Sequence, residues 1–467
     1  MLDMSADEFR RAGHEVVDWI ADYLAGIREY PVVSQVQPGE LTGLIPPSAP
    51  EQGETIDDIL ADFRGIVIPG VTHWNHPRFH AYFSNSASGP GILGEMLTAA
   101  LNVNGMVWKS CPAATELEQI TLGWLREWLG LPEEFFGIIY DTASVSTMHA
   151  IAAARELVDP EARTRGSLPN LTVYTSSHAH SSVEKGAIAI GVGQDNVRKI
   201  PVDAGFCMIP AALAEAIEQD IAAGRKPCCI VPSVGTTSTS SIDPIPAIAG
   251  IAERSGAWLH VDASYGGPAA IVPELRHIFD GVGRAHSLVL NPHKWLFTPM
   301  DISAFYTRRP DILRRAFSLV PEFLRTAEDG SVVNYMDYGV PLGRRFRALK
   351  LWFVMRYFGR ERIADLIRSH VAWAHELAED IKSDERFELA APVPLSLICF
   401  RYKGTDEQNR TLLDRINASG IAFLSHTVLN EKFVLRLAIG NIRTAETDLE
   451  HVWSFIQSLA NDLDAPN

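Results

Sequence analysis

Short apolar runs alternate with alanine-rich stretches between about residue 115 and about residue 300 of this 467-residue chain. The runs are GIIY, LTVYT, CCIVP, WLHVD and SLVLN, and the stretches include MHAIAAARELV, PAALAEAIEQDIAA and IPAIAGIAER. The runs have the length of buried strands, whereas the stretches repeat apolar residues at helical intervals. This alternation is typical of an α/β fold in which a mostly parallel central sheet carries helices on both faces.

The N-terminal residues predict an amphipathic helix that stands apart from this alternation. Ser5 and Glu8 have the spacing of a capping box, and Pro31 is expected to stop the helix. A Pro- and Gly-rich stretch over residues 31–53 then leads to the rest of the chain. The apolar face of the helix needs a covering surface, which is either the main domain or a second subunit. Its positions are Phe9, Gly13, Val16, Ile20, Leu24 and Ile27.

The pattern changes again after about residue 300. A polar stretch from Arg325 to Asn334 is typical of a loop, and a long helix containing Trp352 and Phe353 follows it. From about residue 370, helices alternate with the apolar runs PLSLICF and KFVLRLAIG, which indicates a small α+β domain. We therefore predict an N-terminal helical arm (1–88), a large α/β domain (89–350) and a small C-terminal α+β domain (351–467).

The composition is that of a globular protein, with 46% apolar and 21% charged residues. The formal charge of −16 disfavours nucleic acid and anionic membranes as partners. The start of the chain lacks the features of a secretory signal, and no window approaches the length of a membrane span. The five cysteines show no metal-ligand spacing. We therefore expect a cytoplasmic protein with reduced thiols and no metal.

Ligands of such sheets bind beyond the carboxyl ends of the strands, so the residues that follow each apolar run are the candidates for function. Singly, each has a structural explanation. Asp262 can cap the turn after its strand, His180 can cap the next helix, Ser144 can simply begin a helix, and Lys294 can extend its ammonium to water. The candidate stretches are residues 141–144, 176–180, 233–237, 262–264 and 291–294.

Taken together, these stretches offer a set of complementary groups. A helix N-terminus at Ser144 can bind a phosphate, and the Asp262 carboxylate can keep a heterocyclic nitrogen protonated. The His180 imidazole can stack on a flat ring. Lys294 lies among apolar residues that lower the pKa of its amine and make it a nucleophile toward an aldehyde. Phosphate, ring nitrogen and aldehyde are the groups by which pyridoxal 5′-phosphate (PLP) is bound.

Five separated motifs, in one order, resemble the PLP-dependent group II decarboxylases, specifically the aromatic-L-amino-acid decarboxylase branch. They are SSHAHSSVEK, VGTT, HVDASYGG, NPHKW and PLGRRFRALKLWF, and the resemblance extends from the N-terminal helix to about residue 450. It implies the PLP-dependent transferase fold type I, with the large α/β domain as the PLP-binding domain. It also implies an aromatic amino acid substrate and a homodimer with active sites at the subunit interface. That suits the separate N-terminal arm.

The resemblance also implies roles for individual residues. Lys294 resembles the lysine that binds PLP as a Schiff base, Asp262 the partner of the pyridine nitrogen, and His180 the histidine that stacks on the ring. The implied phosphate and cofactor contacts are Ala143, Ser144, Asn291, His293 and Thr237. The implied substrate contacts are Trp74, Tyr82, Phe83, Met106 and Gly343. Met106 replaces a phenylalanine common in the family. Gly343 occurs in relatives with indolic and with catechol substrates, so it does not decide the preferred substrate.

One position departs from the family pattern. The catalytic loop of the family carries a tyrosine in a P-x-Y-L segment, whereas Phe323 occupies this position in PEFL. The tyrosine hydroxyl is thought to protonate the former Cα after CO2 leaves, and Phe323 has no proton to give. Aromatic acetaldehyde synthases of the family share this phenylalanine. The sequence therefore predicts an aldehyde product with O2 as co-substrate. The alternative is plain decarboxylation to the amine, with His180, water, Tyr335 or Tyr338 delivering the proton.

Three other classes of protein are less consistent with the sequence. Residues Gly89 to Gly94 fit G-x-G-x-x-G, but they follow a polar stretch instead of a strand, and the acidic residue of a dinucleotide site is missing. A fold type I aminotransferase shares the aspartate and lysine but usually needs an arginine for the substrate carboxylate. A non-catalytic binding protein does not explain why every cofactor position is filled.

Overall fold

The computed structural model describes residues 3–166, 168–319, 327–328 and 330–463. The chain forms two compact units. The central unit contains Asn85–Ser383 and Leu389–Cys399, and the terminal unit contains Met1–Ser84, Asp384–Glu388 and Phe400–Asn467.

Helices and strands account for most of the described residues. The helices are α1 (Ala6–Ala25), α2 (Glu40–Leu44), α3 (Ile56–Asp62), α4 (Gly89–Leu101), α5 (Pro112–Leu129), α6 (Ala143–Val158), α7 (Ala162–Arg165), α8 (Ser182–Ala189), α9 (Pro210–Ala222), α10 (Ile245–Ser255), α11 (Pro310–Phe317), α12 (Ala348–Ser383), α13 (Asp406–Ala418) and α14 (Glu446–Asn461). The strands are β1 (Phe136–Tyr140), β2 (Leu171–Ser176), β3 (Val197–Ile200), β4 (Lys226–Val231), β5 (Trp258–Asp262), β6 (Ser287–Leu290), β7 (Ser303–Thr307), β8 (Phe387–Leu389), β9 (Leu397–Tyr402), β10 (Ser425–Leu429) and β11 (Lys432–Ala438). The helix α12 is interrupted at Gly359, where φ is 68°.

The central sheet has the strand order β1-β7-β6-β5-β4-β2-β3 within the described part of the chain. The strand β7 runs antiparallel to both of its neighbours, and the remaining pairs are parallel. Helices pack on both faces, so the predicted α/β fold is confirmed. All five predicted apolar runs form strands. Because β1 and β6 both oppose β7, the carboxyl ends of β1, β2, β4, β5 and β6 lie at one edge.

Two strands of this sheet were not predicted. The strand β3 reads VRKI and is buried only at its two ends, as is usual for a strand at the edge of a sheet. The strand β7 reads SAFYT and is buried throughout, although it falls where the alternating pattern fades. Its insertion between β1 and β6 makes the sheet mixed.

The strand β4 carries two adjacent cysteines inside the sheet. Cys228 and Cys229 are both fully buried. A register shift opposite Thr172 and Val173 of β2 leaves Cys228 as a bulge, and both cysteines belong to the same hydrophobic cluster, so the alternation of faces expected for a regular strand does not apply here. All five cysteines of the chain are free thiols.

The G-x-G-x-x-G segment begins α4, and its last glycine serves the packing of two helices. A Cβ atom on Gly94 would stand 2.7 Å from the Cα atom of Lys350 in α12. The Lys350 side chain is buried, and its Nζ lies 2.9 Å from the Glu95 carboxylate. The helices α4 and α12 can therefore pack this closely because Gly94 has no side chain.

We expect Gly94→Ala to lower the free energy of unfolding by about 1–3 kcal/mol, because the added methyl meets backbone that cannot rotate away. The matched control is Gly123→Ala in α5, where a Cβ atom meets nothing within 4 Å. That change should stabilise the helix by about 0.5–1 kcal/mol. Thermal unfolding of both variants measures the difference, and equal midpoints would contradict the packing argument.

In the terminal unit, the N-terminal residues of the chain contact its C-terminal segment. Ser5 caps α1 and accepts a hydrogen bond from the Glu8 N–H. The helix ends at Ala25, before Gly26, and not at Pro31 as predicted, because glycine readily terminates a helix. The Arg28 guanidinium lies 2.8 Å from the buried Asp448 carboxylate. In this unit the hairpin of β10 and β11 joins α13 and α14, in agreement with the predicted α+β character of the C-terminal residues.

Candidate active site

The carboxyl ends of β4, β5 and β6 lie side by side and bring three of the predicted stretches together. The Val234 N–H donates to the Asp262 carbonyl at 2.8 Å, and the Asn291 N–H donates to the Ser264 carbonyl at 3.1 Å. A Cβ atom on Gly266 would stand 2.5 Å from the Val234 carbonyl oxygen, so a glycine is needed where the two loops cross. This crossing fixes stretches 233–237 and 262–264 against each other.

The Asp262 carboxyl group lies at the end of β5 and is 8% exposed. Its Oδ1 accepts hydrogen bonds from the Ser264 N–H, at 3.0 Å, and from the Ser264 hydroxyl. Asp262 therefore does cap its turn, as the structural explanation expects. Its Oδ2 makes no hydrogen bond within the described ranges, so capping leaves one oxygen for a ligand.

Lys294 lies on a turn whose next residue, Trp295, packs among other aromatic rings. The Trp295 ring is fully buried and stacks on Tyr265, with 4.8 Å between ring centroids. The Trp295 Nε1–H donates to His370 Nδ1 at 2.9 Å. Burial lowers the pKa of the Lys294 ammonium, and the negative charge of Asp262 opposes that shift. The apolar surroundings thus favour the neutral amine, which is the nucleophilic form of a lysine side chain.

His180 precedes α8 and faces the same charged groups. Its Nδ1 accepts a hydrogen bond from the Ser182 N–H at 3.1 Å, so it caps the helix as the structural explanation expects. Partial burial holds the pKa of His180 below its ordinary value, while Asp262 raises that pKa and Lys294 lowers it. A neutral ring with Nδ1 as acceptor carries its proton on Nε2.

The phosphate-binding candidates come from β1 and β6. Ala143 and Ser144 form the first turn of α6, where backbone N–H groups have no partner inside the helix. Asn291 is buried, and its Oδ1 has no hydrogen-bond partner among the described residues. His293 Nδ1 accepts from the Ile302 N–H at 3.2 Å, which leaves Nε2 as a donor. Burial and the Lys294 charge lower the pKa of His293 to about 4.

These side chains fit PLP. The amine with lowered pKa, the carboxylate with one uncommitted oxygen, the exposed imidazole and the helix N-terminus offer one group for each polar part of that molecule. The buried amide of Asn291, left without a partner in the described chain, is a further sign that this edge is built to hold a ligand. Thr237 lies exposed in the loop after β4.

The substrate candidates fall into two groups. Met106 and Gly343 lie in the central unit, where the Met336 N–H donates to the Met106 carbonyl at 3.0 Å and the Arg344 N–H donates to Asn104 Oδ1 at 2.9 Å. These bonds tie the segment of Gly343 to that of Met106. In the terminal unit, the rings of Trp74 and Tyr82 stack at 5.8 Å and both side chains are exposed. Phe83 is buried beneath the guanidinium of Arg436.

The alternative proton donors Tyr335 and Tyr338 point away from this edge. The Tyr335 hydroxyl donates to the Gly137 carbonyl at 3.4 Å, and the Tyr338 ring packs on Phe136 at 5.2 Å. Both partners belong to the first half of β1, at the opposite edge of the sheet from Lys294. Burial raises the pKa of Tyr335 far above its usual value. Phe323 lies outside the described residues.

Some supporting roles were not predicted from the sequence, although two of the residues concerned, Ser264 and Ser176, lie in the candidate stretches. Ser264 orients Asp262, and the spacing of a serine two residues after an aspartate signals such a turn. Glu118 and Arg344 form a buried ion pair of 2.8 Å that braces the segment of Gly343 against β1. They are far apart in the sequence, and no local signal connects them. Ser176, at the end of β2, has a buried hydroxyl without a partner in the described chain.

Comparison with known proteins decides the family. Residues 38–403 match the model of the pyridoxal-dependent decarboxylase conserved domain. The chain belongs to the pyridoxal-dependent decarboxylase family. It is 42% identical to the phenylacetaldehyde synthase of Arabidopsis thaliana over 98% of this chain and 97% of that protein. It is 41% identical to the aromatic-L-amino-acid decarboxylase of Rattus norvegicus over 98% of this chain and 99% of that protein.

Solved structures agree with this assignment. The crystal structure of Oryza sativa TDC with PLP and tryptamine matches with a TM-score of 0.97 and 35% identity, covering 100% of both chains. The predicted resemblance, the fold and the PLP cofactor of this pyridoxal-dependent decarboxylase are therefore confirmed, and the protein is a carboxy-lyase. Bound PLP supplies an electron sink for breaking a bond at the α carbon of an amino acid.

Two further observations concern membranes and metals. Among the described helices, none has the length and apolar character needed to cross a membrane. Within the described ranges, no group of three or more His, Cys, Asp or Glu side chains is arranged to hold a metal ion.

Proposed function

We propose that this pyridoxal-dependent decarboxylase acts on aromatic L-amino acids and that its main product is the aromatic acetaldehyde. Phe323 is the observation that carries the proposal, because it occupies the position at which the family carries the loop tyrosine that serves as proton donor. The resemblance to the Arabidopsis thaliana phenylacetaldehyde synthase supports it. In balance, one amino acid, one O2 and one water give the aldehyde, CO2, ammonia and hydrogen peroxide.

The positions of the remaining donors support the same outcome. Tyr335 and Tyr338 are engaged at the opposite edge of the sheet. His180 Nε2 and water therefore remain as sources of a proton for the carbon that has lost CO2. A slow proton transfer leaves time for O2 to react at that carbon.

The alternative product is the arylalkylamine. The 41% identity to the Rattus norvegicus aromatic-L-amino-acid decarboxylase favours it, and His180 is a candidate donor for the required proton. An assay of the purified enzyme with aromatic L-amino acids under air distinguishes the two. We expect aldehyde, ammonia and peroxide in equal amounts, with little amine. Stoichiometric amine without peroxide would reject the oxidative proposal and retain the decarboxylase.

We assign the binding of PLP to the residues gathered at the edge of the sheet. Lys294 would bind its aldehyde, Asp262 would pair with its ring nitrogen, and His180 would stack on the ring. The phosphate and cofactor shell would consist of Ala143, Ser144, Thr237, Asn291 and His293. The substrate pocket would consist of Trp74, Tyr82, Phe83, Met106 and Gly343.

We also propose a cytoplasmic homodimer with active sites at the subunit interface. In the single chain, Leu93, Met96, Leu97 and Leu101 of α4 are 40–57% exposed, and Phe9 of α1 is 69% exposed. Apolar faces of this size on helices support burial against a second copy. The division into an arm (1–88), a PLP-binding domain (89–350) and a small domain (351–467) belongs to the same proposal. Light scattering coupled to gel filtration tests the dimer.

A further inference from the structure

A basic cavity lies at the edge of the central sheet opposite to Lys294. It has a volume of about 190 Å³ and is lined by Arg284, Ala285, His286, Arg308 and Arg309. His286 precedes β6 and Arg308 follows β7, and the Arg308 N–H donates to the His286 carbonyl at 2.9 Å. Lys294 follows the other end of β6, so the cavity is separate from the candidate active site.

Two of the three arginines are fixed in place by carboxylates. Arg284 donates to both oxygens of Glu253, at 2.9 and 2.5 Å, and Arg309 donates to both oxygens of Asp311, at 3.0 and 2.8 Å. Arg308 donates to the Gly283 carbonyl at 3.1 Å and has no carboxylate partner in the described part of the chain. The cavity therefore keeps positive charge in excess, in a protein whose net charge is −16.

The imidazole of His286 adds a neutral donor to the same wall. Its Nδ1 accepts a hydrogen bond from the Leu259 N–H at 3.0 Å, which leaves Nε2 with the proton. The ring stacks on the buried Trp258 at 4.8 Å. Burial and the charges of Arg309 and Arg308 lower the pKa of His286 to about 4, and Glu253 opposes this shift.

We propose that this cavity binds a phosphate group, either inorganic phosphate or the phosphate of a small ester. The planar Arg308 guanidinium, which no carboxylate of the described chain neutralises, matches the paired oxygens of phosphate. The paired N–H groups of Arg284 and Arg309 are already bound to Glu253 and Asp311, so these two residues shape the rim of the cavity. The remaining donors, His286 Nε2 and the Arg308 guanidinium, belong to different segments and approach a bound anion from two sides. The net negative charge of the protein disfavours anions on the rest of its surface, so outside the active site phosphate should bind preferentially here.

Titration calorimetry of the holoenzyme with inorganic phosphate tests the site, because the bound cofactor already fills the phosphate-binding residues of the active site. We expect Arg308→Gln to weaken phosphate binding at least about tenfold, the effect of losing one charge-assisted hydrogen bond. The matched control is Arg362→Gln, since Arg362 is also exposed and has no ion pair within the described ranges. Turnover without phosphate should be unchanged in both variants.

The imidazole of His286 provides a second measurement. Bound phosphate should raise its pKa by about one unit, because an anion favours the charged ring, and NMR titration of the histidine signals measures this. Competition by glycerol 3-phosphate would assign the site to phosphate esters, and its failure to compete would restrict the site to inorganic phosphate. Equal binding by wild type and Arg308→Gln, an unmoved His286 pKa, or equally tight binding of acetate would overturn the proposal.

Discussion

Replacing Lys294 with alanine is expected to lower turnover of aromatic L-amino acids by at least about a thousandfold. The amine with lowered pKa is the described group best suited to bind the PLP aldehyde, and alanine has no nitrogen for this bond. Borohydride treatment followed by peptide mapping should find the cofactor on the peptide that contains residue 294 in the wild type and nowhere in the variant.

The matched control for this change is Lys226→Ala. Lys226 is an exposed residue at the start of β4, at the edge of the sheet away from Lys294, and its loss should leave turnover and labelling unaltered. The Lys294 variant should remain folded, because the change removes a charge that burial disfavours. A wild-type enzyme labelled on another lysine would remove Lys294 from its role and, with it, the assignment of the cofactor shell.

Phe323→Tyr is expected to convert the enzyme from an aldehyde producer to an amine producer. The phenolic hydroxyl restores a proton donor at the position where the family carries tyrosine. Protonation of the former Cα should therefore be faster than its reaction with O2. Product analysis by mass spectrometry and a peroxide assay measure the change. We expect peroxide to fall by at least about tenfold, which corresponds to about 1.4 kcal/mol in the competition between the two fates.

Phe455→Tyr is the control for the added hydroxyl. Phe455 is half-buried on α14, and its substitution should leave the ratio of aldehyde to amine unchanged. If Phe323→Tyr still gave mainly aldehyde, residue 323 would not determine which product is formed. Amine as the dominant product of the wild type would instead favour His180 or water as an adequate donor.

The sequence predicted the fold where strand and helix signals are local. The strands β1, β2, β4, β5 and β6 are continuous apolar runs because both faces of the sheet are covered, and such runs are visible without the structure. The edge strand β3 and the antiparallel β7 escaped detection. The residues VRKI gain their strand conformation from the neighbouring β2, and SAFYT gains its place between β1 and β6 from long-range pairing.

The candidate site was predictable to the extent that it depends on strand ends. Asp262, Lys294 and Asn291 follow apolar runs, and the topology brings them to one edge. The second function of Asp262 and His180 as caps was also foreseeable, because capping depends on neighbours in sequence. The remote placement of Tyr335 and the ion pair of Glu118 with Arg344 were not, because each depends on contacts between distant segments.

The buried thiols of β4 have a consequence for an enzyme that releases an oxidant. Peroxide attacks thiolates and not thiols, and burial raises the pKa of Cys228 to about 12 and that of Cys229 well above its ordinary value. Should each catalytic cycle generate hydrogen peroxide, these two sulfurs would stay protonated and would resist oxidation by the enzyme's own product.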